Sequence, residues 1–198
     1  MRLEDLNALD EESAARQLLC CCGSSRWTRL MAAARPFASA EAMALVADAK
    51  WAALDREDWL EAFAAHPKIG ADGSGGSGGP GGSGRPGRSD GSGSSGGSGS
   101  AVGKDPERWS DHEQAGVADA VEATRRRLAE ANREYQARFG YMFIVCATGR
   151  TAGEMLDILE RRLNNDVAGE IQVAAEEQRR ITRLRLAKLL EAVQDTTT

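Results

Sequence analysis

The residues with the clearest capacity for acid–base chemistry stand on the two sides of one long glycine- and serine-rich insert. His66 directly precedes the insert in Ala-His-Pro-Lys-Ile-Gly (65–70), and His112 and Glu113 follow it in Trp-Ser-Asp-His-Glu-Gln-Ala-Gly (109–116). The chain has only these two histidines, and histidine is the side chain that changes its charge most readily near neutral pH. Their placement indicates a functional site where the two ends of the insert meet.

His66 is expected at the end of a helix, where Pro67 limits the backbone that follows. The dipole of a helix C-terminus favours a protonated imidazole, and such a histidine can act as a general acid. The alternative is a surface or helix-capping histidine without a chemical role. His112 lies off the apolar stripe of the following helix, so we expect it to be exposed.

Glu113 has two interpretations. It lies four residues before Val117, on the apolar face of the predicted helix, and a carboxylate at the edge of a core can take a raised pKa and pair with a histidine. It also stands three residues after Ser110, in the spacing of a capping box that would begin the helix. The two interpretations remain equally open.

Arg185 interrupts an apolar stripe, because it lies four residues after Ile181 and four before Leu189. A charge in such a position needs a partner. The guanidinium fits either a structural ion pair or a fork that binds the carboxylate of a ligand.

Helices must position these residues. Outside the insert, alanine, leucine, glutamate and arginine dominate, and these residues favour helix. The apolar run Tyr141–Ala147 is too short for its periodicity to separate a strand from a buried helix. Capping residues, glycines and prolines divide the rest into predicted helices over about 10–22, 26–34, 39–50, 55–65, 110–140, 151–163 and 167–192.

The insert itself, residues 71–104, has the composition of a random-coil linker. The stretch from Gly70 to Gly103 contains 16 of the 22 glycines. A long loop is thermodynamically tolerable, because the entropy of closing it grows only logarithmically with length. We therefore predict an all-α fold: residues 1–198 form a single-domain helical bundle that carries a long disordered loop.

Composition excludes several classes of function. The net charge of −5 and the pI of about 5.2 argue against a nucleic-acid partner, and no apolar stretch is long enough to cross a membrane. The first residues lack an apolar leader, so a cytoplasmic location is expected. Neither histidine-rich nor Cys-x-x-Cys spacing is present, so we expect no metal or other cofactor. The free cysteines should be small buried hydrophobic residues: Cys20, Cys21, Cys22 and Cys146.

Seven short motifs occur in one order along the chain, and together they resemble a known family. This is the 2-oxo-4-hydroxy-4-carboxy-5-ureidoimidazoline (OHCU) decarboxylase family of urate degradation, in a bacterial version. The resemblance covers essentially the whole chain except the insert, which is short in many relatives. The motifs are Cys-Gly-Ser-Ser-Arg-Trp (22–27), Arg-Pro-Phe (35–37), His-Pro-Lys-Ile-Gly (66–70), Ser-x-x-Glu-Gln-Ala-Gly (110–116), Phe-Gly-Tyr-x-Phe-Ile-Val-Cys-Ala (139–147), Arg-Leu-x-Asn (162–165) and Ile-x-x-Leu-Arg-Leu-x-x-Leu (181–189).

The resemblance implies an all-α, cofactor-free and usually dimeric enzyme that releases CO₂ and forms (S)-allantoin. It makes His66 the proton donor and Glu113 its catalytic partner, and Arg185 completes the site. The substrate would contact a further set of residues on both sides of the insert and in the apolar run: Pro67, Ser110, Asp111, His112, Gln114, Phe143, Ile144, Val145, Cys146 and Ala147.

Two other functions are compatible with the same residues. A non-catalytic helical protein that binds a ureide or another small acidic ligand would use the arginine and main-chain amides without ionising His66. A helical interaction module would use the insert as a flexible display loop.

Overall fold

The structure is a computed structural model that describes residues 1–66 and 106–191, without the side chains of residues 106–121. Every regular element within these ranges is helical, as predicted. The predicted disordered loop lies outside the described residues. The helices are α1 (Leu3–Ala8), α2 (Glu11–Cys22), α3 (Ser25–Ala33), α4 (Ala40–Ala52), α5 (Arg56–Ala64), α6 (Pro106–Phe139), α7 (Ala152–Arg162) and α8 (Val167–Glu191).

Capping side chains define the starts of four predicted helices. Asp10, Ser39, Asp55 and Thr151 each accept a hydrogen bond from the backbone N–H three residues further along the chain. A cap of this kind satisfies one of the N–H groups that a helix leaves without an internal partner. These helices begin within a residue of the predicted positions because the signal is local.

The start of α6 corrects one prediction. The helix begins at Pro106, so Ser110 lies inside it and does not begin it. Proline suits the first position of a helix, because its fixed φ is helical and its missing N–H would have no partner there. The capping-box interpretation of Ser110 and Glu113 is therefore wrong.

Two further elements differ from the sequence expectation. The short helix α1 was not predicted, because six residues carry too little periodicity. Residues 142–147 form neither a strand nor a helix. This connecting segment between α6 and α7 forms one wall of the candidate site.

Helix α8 packs against α2, α4 and α5, while α6 packs against α7. Two buried tryptophans fix the core by hydrogen bonds to helix carbonyls. The indole of Trp27 donates to the carbonyl of Ala47 over 3.1 Å, and the indole of Trp51 donates to that of Ala175 over 3.0 Å. Because Trp51 lies on α4 and Ala175 on α8, the second bond fixes the helix that carries Arg185.

The cysteines follow the sequence expectation only in part. Cys21 and Cys22 are buried, and burial raises the pKa of both thiols to about 11. Cys20 is exposed because neighbouring positions on a helix face different directions, and Cys146, on the connecting segment, is half-buried. All four thiols are free.

Neither a membrane span nor a metal cluster occurs in the part of the chain that the structure describes. Its helices are too short or too polar to cross a bilayer. Its histidine, cysteine, aspartate and glutamate side chains form no group of three or more that could hold a metal ion.

Candidate active site

A cavity of about 280 Å³ lies between the connecting segment and one face of α8, and His66 also lines it. The segment contributes residues 142–148, which include the predicted substrate contacts Phe143 to Ala147. Helix α8 contributes residues one turn apart on the same face: Ile181, Leu184, Arg185 and Lys188.

His66 is held at the end of α5. Its backbone N–H donates to the carbonyl of Phe63 over 3.2 Å, so the chain continues the helical turn up to this residue. Its imidazole is half-buried and has polar neighbours on both nitrogens. Nε2 lies 2.5 Å from Oε1 of Gln178, and Nδ1 lies 3.5 Å from NH2 of Arg185. Both neighbours belong to α8, so this helix fixes the orientation of the ring.

Burial lowers the pKa of His66 below its ordinary value of 6.5, and the positive charge of Arg185 lowers it further. The hydrogen bond to Gln178 acts in the opposite direction without reversing the shift. This direction is opposite to the one expected from the helix dipole, because burial and a nearby cation both disfavour the charged ring. The role of His66 as a general acid stays a prediction.

Arg185 forms no ion pair with any carboxylate among the described residues. Its guanidinium contacts the carbonyl of Cys21 over 3.4 Å and Nδ1 of His66 over 3.5 Å, both long for hydrogen bonds. Of the two interpretations left open by the sequence, the structural ion pair has no counterpart in the described residues. The guanidinium retains N–H donors at the cavity for an acidic ligand.

The wall opposite α8 is fixed by side chains that bond to its main chain. Oδ1 of Asn132 accepts from the N–H of Phe143 over 3.1 Å, and Oε2 of Glu177 accepts from the N–H of Cys146 over 2.7 Å. A buried segment outside a helix or sheet needs such partners, because a buried main-chain group without one is costly.

A buried charge cluster behind the wall completes this support. The guanidinium of Arg162 donates to the carbonyl of Ile144 over 2.8 Å and to the carboxylate of Glu170 over 2.7 Å. Glu170, which is fully buried, also accepts from the hydroxyl of Tyr135 and from the amide of Asn165. The carboxylate is thus paired and hydrogen-bonded, as a buried charge must be.

Several main-chain donors of the wall are left for a ligand. No hydrogen bond between described residues uses the N–H groups of Ile144, Val145 or Ala147. These three residues line the cavity, so an acceptor placed there can receive hydrogen bonds from the main chain.

The described lining of the cavity carries basic charges and no acidic ones. Arg185 and Lys188 lie along the α8 side, while the wall contributes mainly apolar side chains. A low-dielectric wall beside two cations favours a small anionic ligand.

The structure brings together only part of the predicted set. His66, Arg185 and the segment Phe143–Ala147 surround one cavity. The other predicted positions lie outside the described residues or side chains: Pro67, Ser110, Asp111, His112, Glu113 and Gln114.

Sequence reasoning missed Gln178 and Lys188. A signal for Gln178 was present, because Gln178, Thr182 and Arg185 follow one another at spacings of four and three and thus share one face of α8. Polar residues on the buried face of a helix usually serve a hydrogen-bonding partner. The identity of that partner, His66, is not readable from the sequence.

Comparison with known proteins identifies the family of this chain. The sequence profile of the OHCU decarboxylase family matches residues 7–80 and 96–187. The uric acid degradation bifunctional protein TTL of Arabidopsis thaliana is 36% identical over 170 residues, which are 85% of this chain and 45% of that protein. The OHCU decarboxylase of Amia calva is 37% identical over 87 residues, which are 43% of this chain and 49% of that protein. The chain thus spans about half the length of these curated relatives.

A solved structure is similar over nearly its full length. A crystal structure of OHCU decarboxylase in the presence of (S)-allantoin superposes with a TM-score of 0.62 and 30% identity, and the match covers 92% of this chain and 99% of that one. The family profile, which matches well over half of the chain, establishes the relationship. The chain belongs to the OHCU decarboxylase family.

Proposed function

We propose that this protein converts OHCU to (S)-allantoin and CO₂ without a cofactor. The observation that carries the proposal is the pairing of a histidine of lowered pKa with an arginine that has no carboxylate partner among the described residues, both at the edge of one cavity. Similarity to proteins named for OHCU decarboxylation and uric acid degradation supports the choice of substrate.

The reaction needs little chemistry from the protein. When CO₂ leaves, the electron pair of the broken bond remains on the substrate ring, which delocalises it over a carbonyl and an imine-like nitrogen. The protein must hold the carboxylate out of the ring plane and exclude water. Arg185 would bind polar groups of an anionic substrate together with the N–H groups of Ile144, Val145 and Ala147, which have no hydrogen-bond partner among the described residues.

Formation of a single enantiomer requires that a proton reach only one face of the carbon. His66 delivers that proton. Glu113, on the other side of the insert, orients His66. In the unliganded protein the pKa of His66 is lowered by burial and by Arg185. An anion bound to Arg185 offsets its positive charge, so substrate binding favours the protonated imidazole at the moment of use.

We further propose a domain organisation, an oligomeric state and a cellular location. Residues 1–198 form one domain that carries an insert at 71–104, and two copies form a homodimer, as is usual in the family. The free state of all four cysteines supports a reducing, cytoplasmic location. The other predicted substrate contacts are Pro67, Ser110, Asp111, His112 and Gln114.

The direct test mixes the protein with freshly generated OHCU and follows circular dichroism. Rapid appearance of the signal of (S)-allantoin, faster than in buffer alone, is the expected result. Unchanged spontaneous decay to the racemate would contradict the proposal. Tight binding of OHCU without faster decay would instead identify a ureide-binding protein.

A further inference from the structure

Gln178 is the most buried polar contact of His66. Its side chain is completely inaccessible, and it does not line the cavity. Its amide nitrogen donates to the carbonyl of Cys22 over 3.2 Å and to the hydroxyl of Thr182 over 3.3 Å. A carbonyl can only accept, so the amide group must face Cys22 and the amide oxygen must face His66.

This orientation determines the protonation pattern of His66. Oε1 of Gln178 is an acceptor, so the nitrogen 2.5 Å away, Nε2, must carry a hydrogen. Arg185 can only donate, so Nδ1, which faces it over 3.5 Å, must be the unprotonated nitrogen of the neutral ring. Both neighbours therefore select the same tautomer.

We propose that Gln178 is a positioning residue that fixes the Nε2–H tautomer of His66 and leaves Nδ1 as the nitrogen that exchanges a proton with the substrate. This rests on the proposed function for the identity of the substrate, whereas the tautomer itself does not depend on it. The geometry supports the division of roles: Nε2 points to a residue outside the cavity, and Nδ1 points to Arg185, which lines it.

The proton balance follows from this arrangement. A substrate carboxylate binds the guanidinium of Arg185 and draws the guanidinium away from Nδ1 of His66. Nδ1 then takes a proton from the solvent. Loss of CO₂ leaves the electron pair of the broken bond on the substrate, and Nδ1 gives its proton to the carbon. The ring returns to the neutral Nε2–H form, so each turnover consumes one solvent proton.

Other titratable groups near this pair are few in the described structure. Lys188 and Cys146 line the same cavity as His66, and Glu61 and Cys20 line a neighbouring cavity on the other side of Arg185. Of the charges around His66, that of Arg185 is the one that shifts its pKa, and the shift is downward.

Nitrogen NMR of the unliganded protein labelled with ¹⁵N-histidine tests the tautomer directly. The chain has two histidines, so the resonances lost in His66→Asn belong to His66. The expected spectrum above the pKa shows a protonated Nε2 and an unprotonated Nδ1. A protonated Nδ1, or rapid averaging of both tautomers, would overturn the proposal whatever the protein's activity.

Three variants test the positioning role. Gln178→Met keeps the length of the side chain but removes the acceptor, and we expect kcat to fall about tenfold or more with little change in KM. Gln178→Glu keeps an oxygen opposite Nε2 and should have a higher kcat than the Met variant. The pKa of His66 should be higher in Gln178→Glu than in the wild type. Gln172→Met makes the same substitution at an exposed position of α8 and is the matched control, expected to change kcat little.

A purely structural role predicts the reverse order. The apolar Met variant would then be tolerated in this buried position, and the Glu variant would lose stability and activity together. Retention of wild-type kcat and an unshifted pKa of His66 in Gln178→Met would overturn the proposal. Failure of the wild type to accelerate OHCU decay would refute the proposed function instead, and the NMR result would still decide the tautomer.

Discussion

The guanidinium of Arg185 lies 3.5 Å from Nδ1 of His66, so a permanent cation faces the unprotonated side of a half-buried imidazole. This contact joins α8 to the end of α5 at the edge of the cavity. Burial lowers the pKa of His66, and this contact lowers it further, because the two positive charges would repel each other. A substrate carboxylate bound at this contact would instead attract the protonated imidazole.

Replacement of His66 by asparagine is expected to preserve the fold and to lower turnover of OHCU by about 100-fold or more, as for a lost general acid. Asparagine keeps a polar group of similar size, so the hydrogen bond to Gln178 can be partly retained. Stopped-flow circular dichroism gives the rate, and thermal unfolding checks the fold. Turnover near that of the wild type in a folded variant would remove His66 from the mechanism.

The pKa of His66 is expected below 6.5 in the unliganded protein, because burial and Arg185 both disfavour the charged ring. The variant Arg185→Met removes the nearby cation and should therefore raise this pKa. NMR titration measures the pKa of His66 in the wild type and in the variant. A pKa that falls or stays unchanged in the variant would show that Arg185 does not act on His66 electrostatically.

Replacement of Arg162 by methionine should lower the free energy of unfolding by about 3–5 kcal/mol, because it leaves the buried carboxylate of Glu170 without its cation. The cavity wall should also lose order, since Arg162 donates to the carbonyl of Ile144. Urea unfolding measures the change. The matched control is Arg16→Ala, which removes an exposed pair with Glu12 and should cost less than about 1 kcal/mol. Equal costs for the two variants would contradict this interpretation.

Two glycines with the same backbone angle provide a steric test. Gly23 and Gly140 both have a φ of +85°, but a Cβ at Gly23 would lie 2.5 Å from that of Ala65, whereas the space around Gly140 is open. Gly140→Ala should therefore cost only the left-handed penalty of about 1–2 kcal/mol. Gly23→Ala should cost more and should also lower turnover, because Ala65 directly precedes His66. Differential scanning calorimetry measures the loss of stability, and OHCU assays measure the loss of turnover. Similar losses in both variants would refute the packing argument.

Replacement of residues Ser74 to Ser98 by a short flexible linker is expected to leave OHCU turnover largely intact. The glycine- and serine-rich composition offers few side chains for chemistry, and shortening such a loop changes the closure entropy only slightly. Turnover and thermal unfolding of the shortened protein are the measurements. Complete loss of turnover in a well-folded variant would show that the insert takes a direct part.

Local signals in the sequence were sufficient for the helices that begin at capping residues. Ser39, Asp55 and Thr151 cap as predicted, and Asp10 caps the helix predicted to begin there, because a cap bonds to the N–H three residues further along the chain and needs no distant partner. The start of α6 was wrong by four residues, because Ser110 matched a local pattern that the helix does not use.

The sequence by itself determined the all-helical class and most helix boundaries, and it selected His66 and Arg185 as candidate site residues. Only the tertiary structure decided how the site is assembled. Gln178 is 112 residues from His66 in the chain, yet it selects the tautomer of that ring. The sequence placed His66 at a helix end, where the dipole favours protonation, whereas its surroundings in the structure lower its pKa. The physical reason is that burial and an arginine far away in the sequence act on His66 through space, whereas capping and helix propensity act along the chain.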